Sequence, residues 1–245
     1  MISRSAVSLL VLAVAVTGAS SAVGRPSPVG QTIYMARPDP RACPSPLCGG
    51  YWVARANHAR TRCHDGLLRP RCYVTNAVDV AGHPLEAGVP NGALVRADIE
   101  PRAHEAFGAL GELVVAGVRA PVGKGPKGTY YRVRDLGIRC VRAPCFYLRA
   151  ARLNRFARAI VSGLDLVSVV RPSATELARA EAALSTSNGL WLLGTVIETS
   201  DASRILLASR FYLSASRRKY GHDSPARTEQ AEDAGSADMQ VYRGD

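Results

Sequence analysis

The chain has 245 residues, a formal net charge of +11 and six cysteines, with 47% hydrophobic and 21% charged residues. Past the N-terminal leader no stretch approaches the apolar length of a membrane-spanning helix, which excludes a transmembrane protein on helical grounds. The positive charge is almost all Arg, with Lys only at 124, 127 and 219, and it forms no dense tract interleaved with aromatics, which argues against a nucleic-acid partner.

The opening "MISRSAVSLLVLAVAVTGASSAVG" places Arg4 before an apolar run from Ala6 to Val16 and small residues up to Ala22. This predicts a secretory signal peptide over 1–22, cut after Ala22, and hence a secreted or periplasmic protein. Residues 23–30 form a Pro- and Gly-bearing leader. "TIYMARP" then alternates apolar and polar residues as a half-buried strand does, and so do "YWVARA", "ALVRADI" and "TYYRVRDL". "PRAHEAFGALG" from Pro101 and "PSATELARAEAALSTSNG" from Pro172 read as two helices, each with proline in the first turn and glycine after the last. In the second, Leu177, Ala180 and Leu184 fall on one stripe and Glu176, Arg179 and Glu181 face away. "RAPVGKGPKG" (119–128) reads as a hairpin loop, and "GLWLLGTVI" and "SRILLASRFYL" as two further strands. From Ser214 the chain turns polar, and 214–245 reads as a disordered tail.

Shifted by 97 residues, the sequence meets itself. Thr32 meets Thr129, Tyr34 meets Tyr131, Arg37 meets Arg134, Cys43 meets Cys140, Cys48 meets Cys145, and Asn57 meets Asn154. A constant offset over so many positions predicts an internal duplication, with copies at 31–126 and 127–213. Later landmarks match at 77 instead, "GELVVAGV" from Gly111 against "NGLWLLGT" from Asn188, so the segment carrying Cys63 and Cys72 reads as an insertion in the first copy. The expected fold class is α+β, with antiparallel sheets, two helices and a pseudo-symmetric, internally duplicated body.

An even cysteine count in an exported chain reads as disulfides; zinc held by the two C-x4-C pairs is the competing reading, against which C-x2-C is the commoner knuckle. The expected pairs are Cys43 with Cys48, Cys63 with Cys72, and Cys140 with Cys145, although bonds across the two copies stay open at this stage. Each short ring would contribute about 2 kcal/mol by the chain-entropy relation, less any strain. The segments "CPSPLCGGY" and "GIRCVRAPCFYLRAARLN" resemble an uncharacterised family of exported bacterial proteins, a domain of unknown function, whose marks are a proline-containing C-x4-C loop and a strand ending in "LN". The resemblance covers roughly residues 30–200 and implies no catalytic residue.

No hydrolase, zincin, Walker or calcium-loop motif stands in the mature chain, and no cofactor or metal is expected. His64 beside Asp65 is the one acid–base or metal candidate, set against a plain solvated pair. His58, His83, His104 and His222 are scattered, and Asp98, Asp135 and Asp165 suit turn or cap duty. Tyr51, Trp52, Phe146, Tyr147 and Trp191 read as core before they read as a groove. Arg142, with Ala143 and Pro144, would sit on a tethered loop tip, the way small inhibitors present an arginine to a trypsin-like protease. The reading is therefore an exported, non-catalytic protein with a binding or structural role in the bacterial envelope or secretome, its partner an anionic envelope polymer or another protein. A secreted protease inhibitor acting through Arg142 is the alternative, and an enzyme with an unrecognised site near His64 comes third.

Overall fold

The computed structural model describes residues 30–125, 127–168 and 170–215. The signal-peptide reading and nearly all of the leader and polar tail fall outside these residues. In chain order the elements are β1 Thr32–Pro38, β2 Tyr51–Arg55, β3 Thr61–Arg62, β4 Leu68–Arg69, β5 Cys72–Val74, β6 Ala77–Asp79, β7 Ala93–His104, β8 Gly108–Val122, β9 Thr129–Asp135, β10 Leu148–Arg152, β11 Arg158–Val161, β12 Gly163–Asp165, α1 Ala174–Leu184, β13 Leu190–Glu198 and β14 Arg204–Ser214. One helix among so many strands makes the described residues mostly β, and the α+β expectation with two helices is corrected.

The helix expected from Pro101 is instead a β-hairpin arm. β7 and β8 pair through Glu100↔Glu112, Pro101↔Gly111 and Arg102↔Leu110, and Arg102 meets Glu112 at 2.7 Å. Two conditions favour strand here. β1 covers β7 only as far as Ala97, so Pro101 lies where the strand is paired on one side, the setting in which proline is tolerated. Gly108 sits at φ 69°, a turn conformation that glycine adopts without a steric penalty. The second helix does form: Ser173 and Glu176 make a capping box, Ala180 is buried, and Leu177 and Leu184 pack on the core beside it.

One sheet runs β11-β10-β9-β13-β14-β8-β7-β1-β2-β5, with β6 and β12 joining in parallel beside β8 and β14. The pairing scheme of one half recurs in the other. β1 lies between β2 and β7 as β9 lies between β10 and β13. β8 and β14 pair with each other at the centre. The registers agree residue by residue: Tyr34 faces Val95 and Tyr131 faces Leu192, so both partners stand 97 positions apart. Bulges break β7 at Arg96/Ala97 and β13 at Leu193/Gly194, once more at that spacing.

Two sequence expectations change accordingly. The counterpart of β13 is β7, not the segment from Gly111 in β8, so the offset of 77 aligns neighbouring strands that share an apolar alternation but occupy different places. No extra length enters the first half. Between Asn57 and β7 it carries the Cys63–Cys72 segment, where the second half, between Asn154 and β13, carries β11, β12 and α1 over an equal span. Residues 119–128 are also not a hairpin loop, since β8 pairs with β7 and β14 and β9 pairs with β10 and β13; the segment crosses from one half to the other.

Three cores follow from this layout. Tyr34, Val53, Cys63, Cys72, Val74, Val95 and Leu113 pack within the first half, and Tyr131, Val133, Leu148, Leu166, Ala180, Leu190 and Leu206 within the second. The third draws on both: Ile33, Ala56 and Leu94 meet Leu153, Trp191 and Tyr212, with Met35 and Tyr130 alongside. Alternate residues of one strand therefore serve different cores, Tyr34 facing its own half and Ile33 the joint.

Two asparagines tie the joint. Asn57 and Asn154 follow β2 and β10 in left-handed conformation, at φ 60° and 56°. Asn57 Nδ2 donates to the carbonyls of Tyr130 (2.7 Å) and Leu153 (2.9 Å), and its Oδ1 accepts from Tyr130 N at 2.9 Å. Asn154 does the same to the other half, with Ile33 O at 2.7 Å, Ala56 O at 3.0 Å and Ile33 N at 2.9 Å. Replacing either asparagine with alanine removes three cross-half hydrogen bonds and places a β-carbon residue in left-handed backbone with no compensating contact. Urea titration should show each variant losing about 2–4 kcal/mol, the two alike. Asn57→Gly, which keeps the backbone but not the bonds, should recover only part of that loss.

Candidate functional site

The three expected disulfides are in place, Cys43–Cys48, Cys63–Cys72 and Cys140–Cys145, with Cα separations of 5.3, 5.4 and 5.6 Å. Cys63 and Cys72 are buried in the first core; the two C-x4-C rings stand at loop tips, with Cys48 of the first also buried. Those tips are held differently. On the first, Asp39 binds Arg41 through both carboxylate oxygens at 2.8–3.0 Å and accepts from Trp52 Nε1 at 3.2 Å. The Arg41 and Arg71 guanidiniums lie 5.2 and 4.7 Å from the centre of the Trp52 ring, and the Tyr73 hydroxyl donates to Pro46 O at 2.9 Å. The second tip has Ile138 where the first has Arg41 and Arg149 where the first has Trp52, so that brace is absent. Arg142 and Ala143 are exposed and Pro144 half-buried.

His64 and Asp65 do not form a dyad. His64 Nε2 faces Ala109 O at 3.1 Å on the hairpin arm, while Asp65 accepts from Arg69 at 2.7 Å and from Leu67 N at 3.0 Å. Asp98, Asp135 and Asp165 each accept from backbone N–H groups, of Gly30, Gly137, and Val167 and Ser168 respectively. Trp191 is buried under Arg119, whose guanidinium lies 4.4 Å from the ring; burial, with Arg96 nearby, lowers the Arg119 pKa to about 10. Tyr51 is half-buried and its hydroxyl accepts from Val89 N at 3.1 Å. Phe146 and Tyr147 are also half-buried. His222 lies outside the described residues.

The structure instead brings together the turns that carry the two asparagines. His58 donates from Nε2 to Asn154 O at 3.0 Å, and Arg155 donates to Asn57 O at 3.2–3.3 Å, so each turn closes on the carbonyl of the other. Beside this junction opens a pocket of about 730 Å³, lined by Asn57, Gly128, Thr129, Arg152, Arg155, Phe156 and Ala157. Gly128 gives it a backbone wall: at φ 139° it presses on β13, where a side chain would meet Gly194 backbone at 2.7 Å.

The chemistry of this face is cationic. Residues 54–64 and 148–164 contain no Asp or Glu, and Arg60, Arg62, Arg152, Arg155 and Arg158 are exposed. The ion pairs found among the described residues involve none of these five, although one, Arg69 with Asp65, lies on the β3–β4 hairpin that carries Arg62. Guanidiniums without a carboxylate keep their charge uncompensated, and Arg presents a planar fork suited to phosphate, sulfate or carboxylate; Arg155 offers only the donors it does not give to Asn57 O. The sequence marks the two asparagines only as matched letters, and nothing in it points to Phe156.

The fold and the site thus define a mostly antiparallel, disulfide-linked β protein with a basic junction between two halves. The chain belongs to the family described as a domain of unknown function, DUF6748, whose model matches residues 32–218. No curated protein and no solved structure matches it.

Asp39 generates a pH prediction. The hydrogen bond from Arg41 holds its carboxyl below the usual range. A carboxyl lowered by folding contributes stability that is present above its unfolded pKa and is lost as the pH falls through the folded value. Asp39→Asn should therefore be less stable than the parent at neutral pH, with the gap in urea midpoint closing as the pH is taken below about 4.

Proposed function

We propose that this is an exported, non-catalytic binding protein that holds an anionic ligand at the basic junction. The observation that carries the reading is the open pocket whose Arg152 and Arg155 face no carboxylate. Its rim is rigid, since the asparagine bonds fix both turns, so little ordering cost attends binding. Three disulfides accord with life in an oxidising compartment. We further propose that residues 31–126 and 127–213 are copies of one module, supported by the matching registers and bulges.

Polyphosphate is a suitable probe. Binding measured by fluorescence anisotropy should weaken steeply as salt rises from about 50 to about 500 mM, because exposed charges are screened within a few ångströms at the upper end. The double variant Arg152→Ala/Arg155→Ala should lose at least about tenfold in affinity. A double variant of equal charge change, Arg102→Ala/Arg139→Ala, takes guanidiniums that already have carboxylate partners and should stay within about twofold. Equal losses in the two would reduce the effect to net charge and overturn the site.

A second reading, inhibition of a trypsin-like protease, is favoured by one feature. Arg142 is exposed beside Val141, which is 103% exposed, inside a disulfide ring. Titration of trypsin should then give stoichiometric inhibition that Arg142→Ala abolishes. Cleavage after Arg142 without inhibition would end this reading.

A further inference from the structure

We propose that the turn from Leu153 to Arg158 docks the protein on an anionic lipid surface, with Phe156 entering the interface and the arginines around it engaging headgroup phosphates. This rests on the reading of the junction as the anion-binding site and adds the partner.

Phe156 is 106% exposed, so its ring touches essentially nothing of its own chain. It also stands on a fixed support. Leu153 beneath it is buried in the joint core, Arg152 N donates to Ala157 O at 2.9 Å, and Asn154 is bonded across the joint. A rigid turn that holds a whole phenyl ring in water is an unfavourable arrangement for the isolated protein and a favourable one for a molecule that will bury the ring. Arg152, Arg155 and Arg158 are exposed around it, with no acidic residue from 148 to 164.

A fully exposed aromatic side chain flanked in sequence by exposed arginines suits the layering of a bilayer interface, where phosphates lie above the first apolar atoms. A soluble polyanion would use the arginines equally well but supplies no apolar layer to take up the ring. The equivalent position in the first half is Ala59, so the apolar projection belongs to the second half alone. The charge complementarity and the projecting ring therefore select a lipid surface over a free polymer strand.

The experiment is co-sedimentation of the full exported chain with vesicles of phosphatidylglycerol and phosphatidylcholine, compared with phosphatidylcholine alone. Partition to the anionic vesicles should be strong at low salt and fall as salt is added. Phe156→Ala should weaken it by about tenfold or more, as expected for removing one buried aromatic side chain, a clearly larger loss than the same variant shows toward polyphosphate. Replacement of any one of the three arginines should weaken partition about fivefold. Phe156→Trp should gain a blue-shifted emission on anionic vesicles that brominated lipids quench, whereas the parent, with Trp52 and Trp191, should not. An unchanged partition for Phe156→Ala, or an unshifted emission from vesicle-bound Phe156→Trp protein, overturns the docking. Polyphosphate binding with no vesicle binding also overturns it and leaves the pocket reading standing, and loss of both ends both.

Discussion

The reciprocal reach of Asn57 and Asn154 is the constraint on which the two-half arrangement depends. A strand's first backbone groups must be satisfied or solvated. Here the N–H groups of Ile33 and Tyr130, beside the starts of β1 and β9, donate to an asparagine amide from the opposite half, and their carbonyls accept from that amide as well as from Ala56 N and Leu153 N. An amide is suited to this because it carries an acceptor and two donors on one rigid plane, and asparagine tolerates the left-handed backbone needed to turn that plane across the gap. His58 and Arg155 extend the exchange by one residue, each donating to the other asparagine's carbonyl. The turns that would otherwise be the loosest parts of the molecule are thereby fixed against each other. That is why a pocket lined by turn residues is a defined shape.

Once the joint is set, each half must still cover the outer face of its own strands, and the two do so with different chemistry over equal lengths of chain. In the first, a cystine contributes two buried sulfurs between Val53, Val74 and Leu113. In the second, a capped helix presents Leu177, Ala180 and Leu184 to Leu190 and Leu206. The loop tips diverge likewise: Asp39, Arg41, Trp52 and Tyr73 stiffen the first, and nothing equivalent stands at the second. Symmetry is kept where the halves touch and lost where each meets solvent, which leaves the outer surfaces free to differ in function. Phe156 against Ala59 and Arg155 against His58 are differences of that kind.

Much of this frame is legible in the sequence. The strands are readable from alternation because each has one face on a core, and the cysteine rings from spacing. The misreadings have physical causes. "PRAHEAFGALG" has helix-forming Ala and Glu behind a proline, and local propensity favours helix there; the long-range ladder between β7 and β8, reinforced by Arg102–Glu112, overrides it. The offset of 77 arises because β8 and β13 both alternate apolar residues around a glycine, a pattern that reports burial and not position in the sheet. The site is harder to read. Asn57 bonds residues 73 and 96 positions away and Asn154 one 121 positions away, so their task exists only after folding. A phenylalanine four places after the end of β10 carries no mark in the sequence, and only coordinates show that this one touches no core at all.

The net charge of +11 shows why placement matters more than sum. Arg41, Arg69, Arg102, Arg139 and Arg204 each lie within reach of a carboxylate, which lowers the field they present to solvent. The arginines of the two junction turns have no such partner, nor do the exposed Arg37, Arg71, Arg132, Arg142 and Arg149 elsewhere, so the junction is set apart by its fixed backbone and not by unpaired charge alone. A composition rich in Arg makes scattered guanidiniums inevitable, but it does not keep Asp and Glu out of both turns at once, nor set the turns side by side. What distinguishes this face from an ordinary solvated surface is the coincidence of unpaired cations, a rigid rim and an unburied aromatic ring. Each can arise alone without a ligand, and together they describe a surface that is energetically incomplete until something anionic and partly apolar covers it.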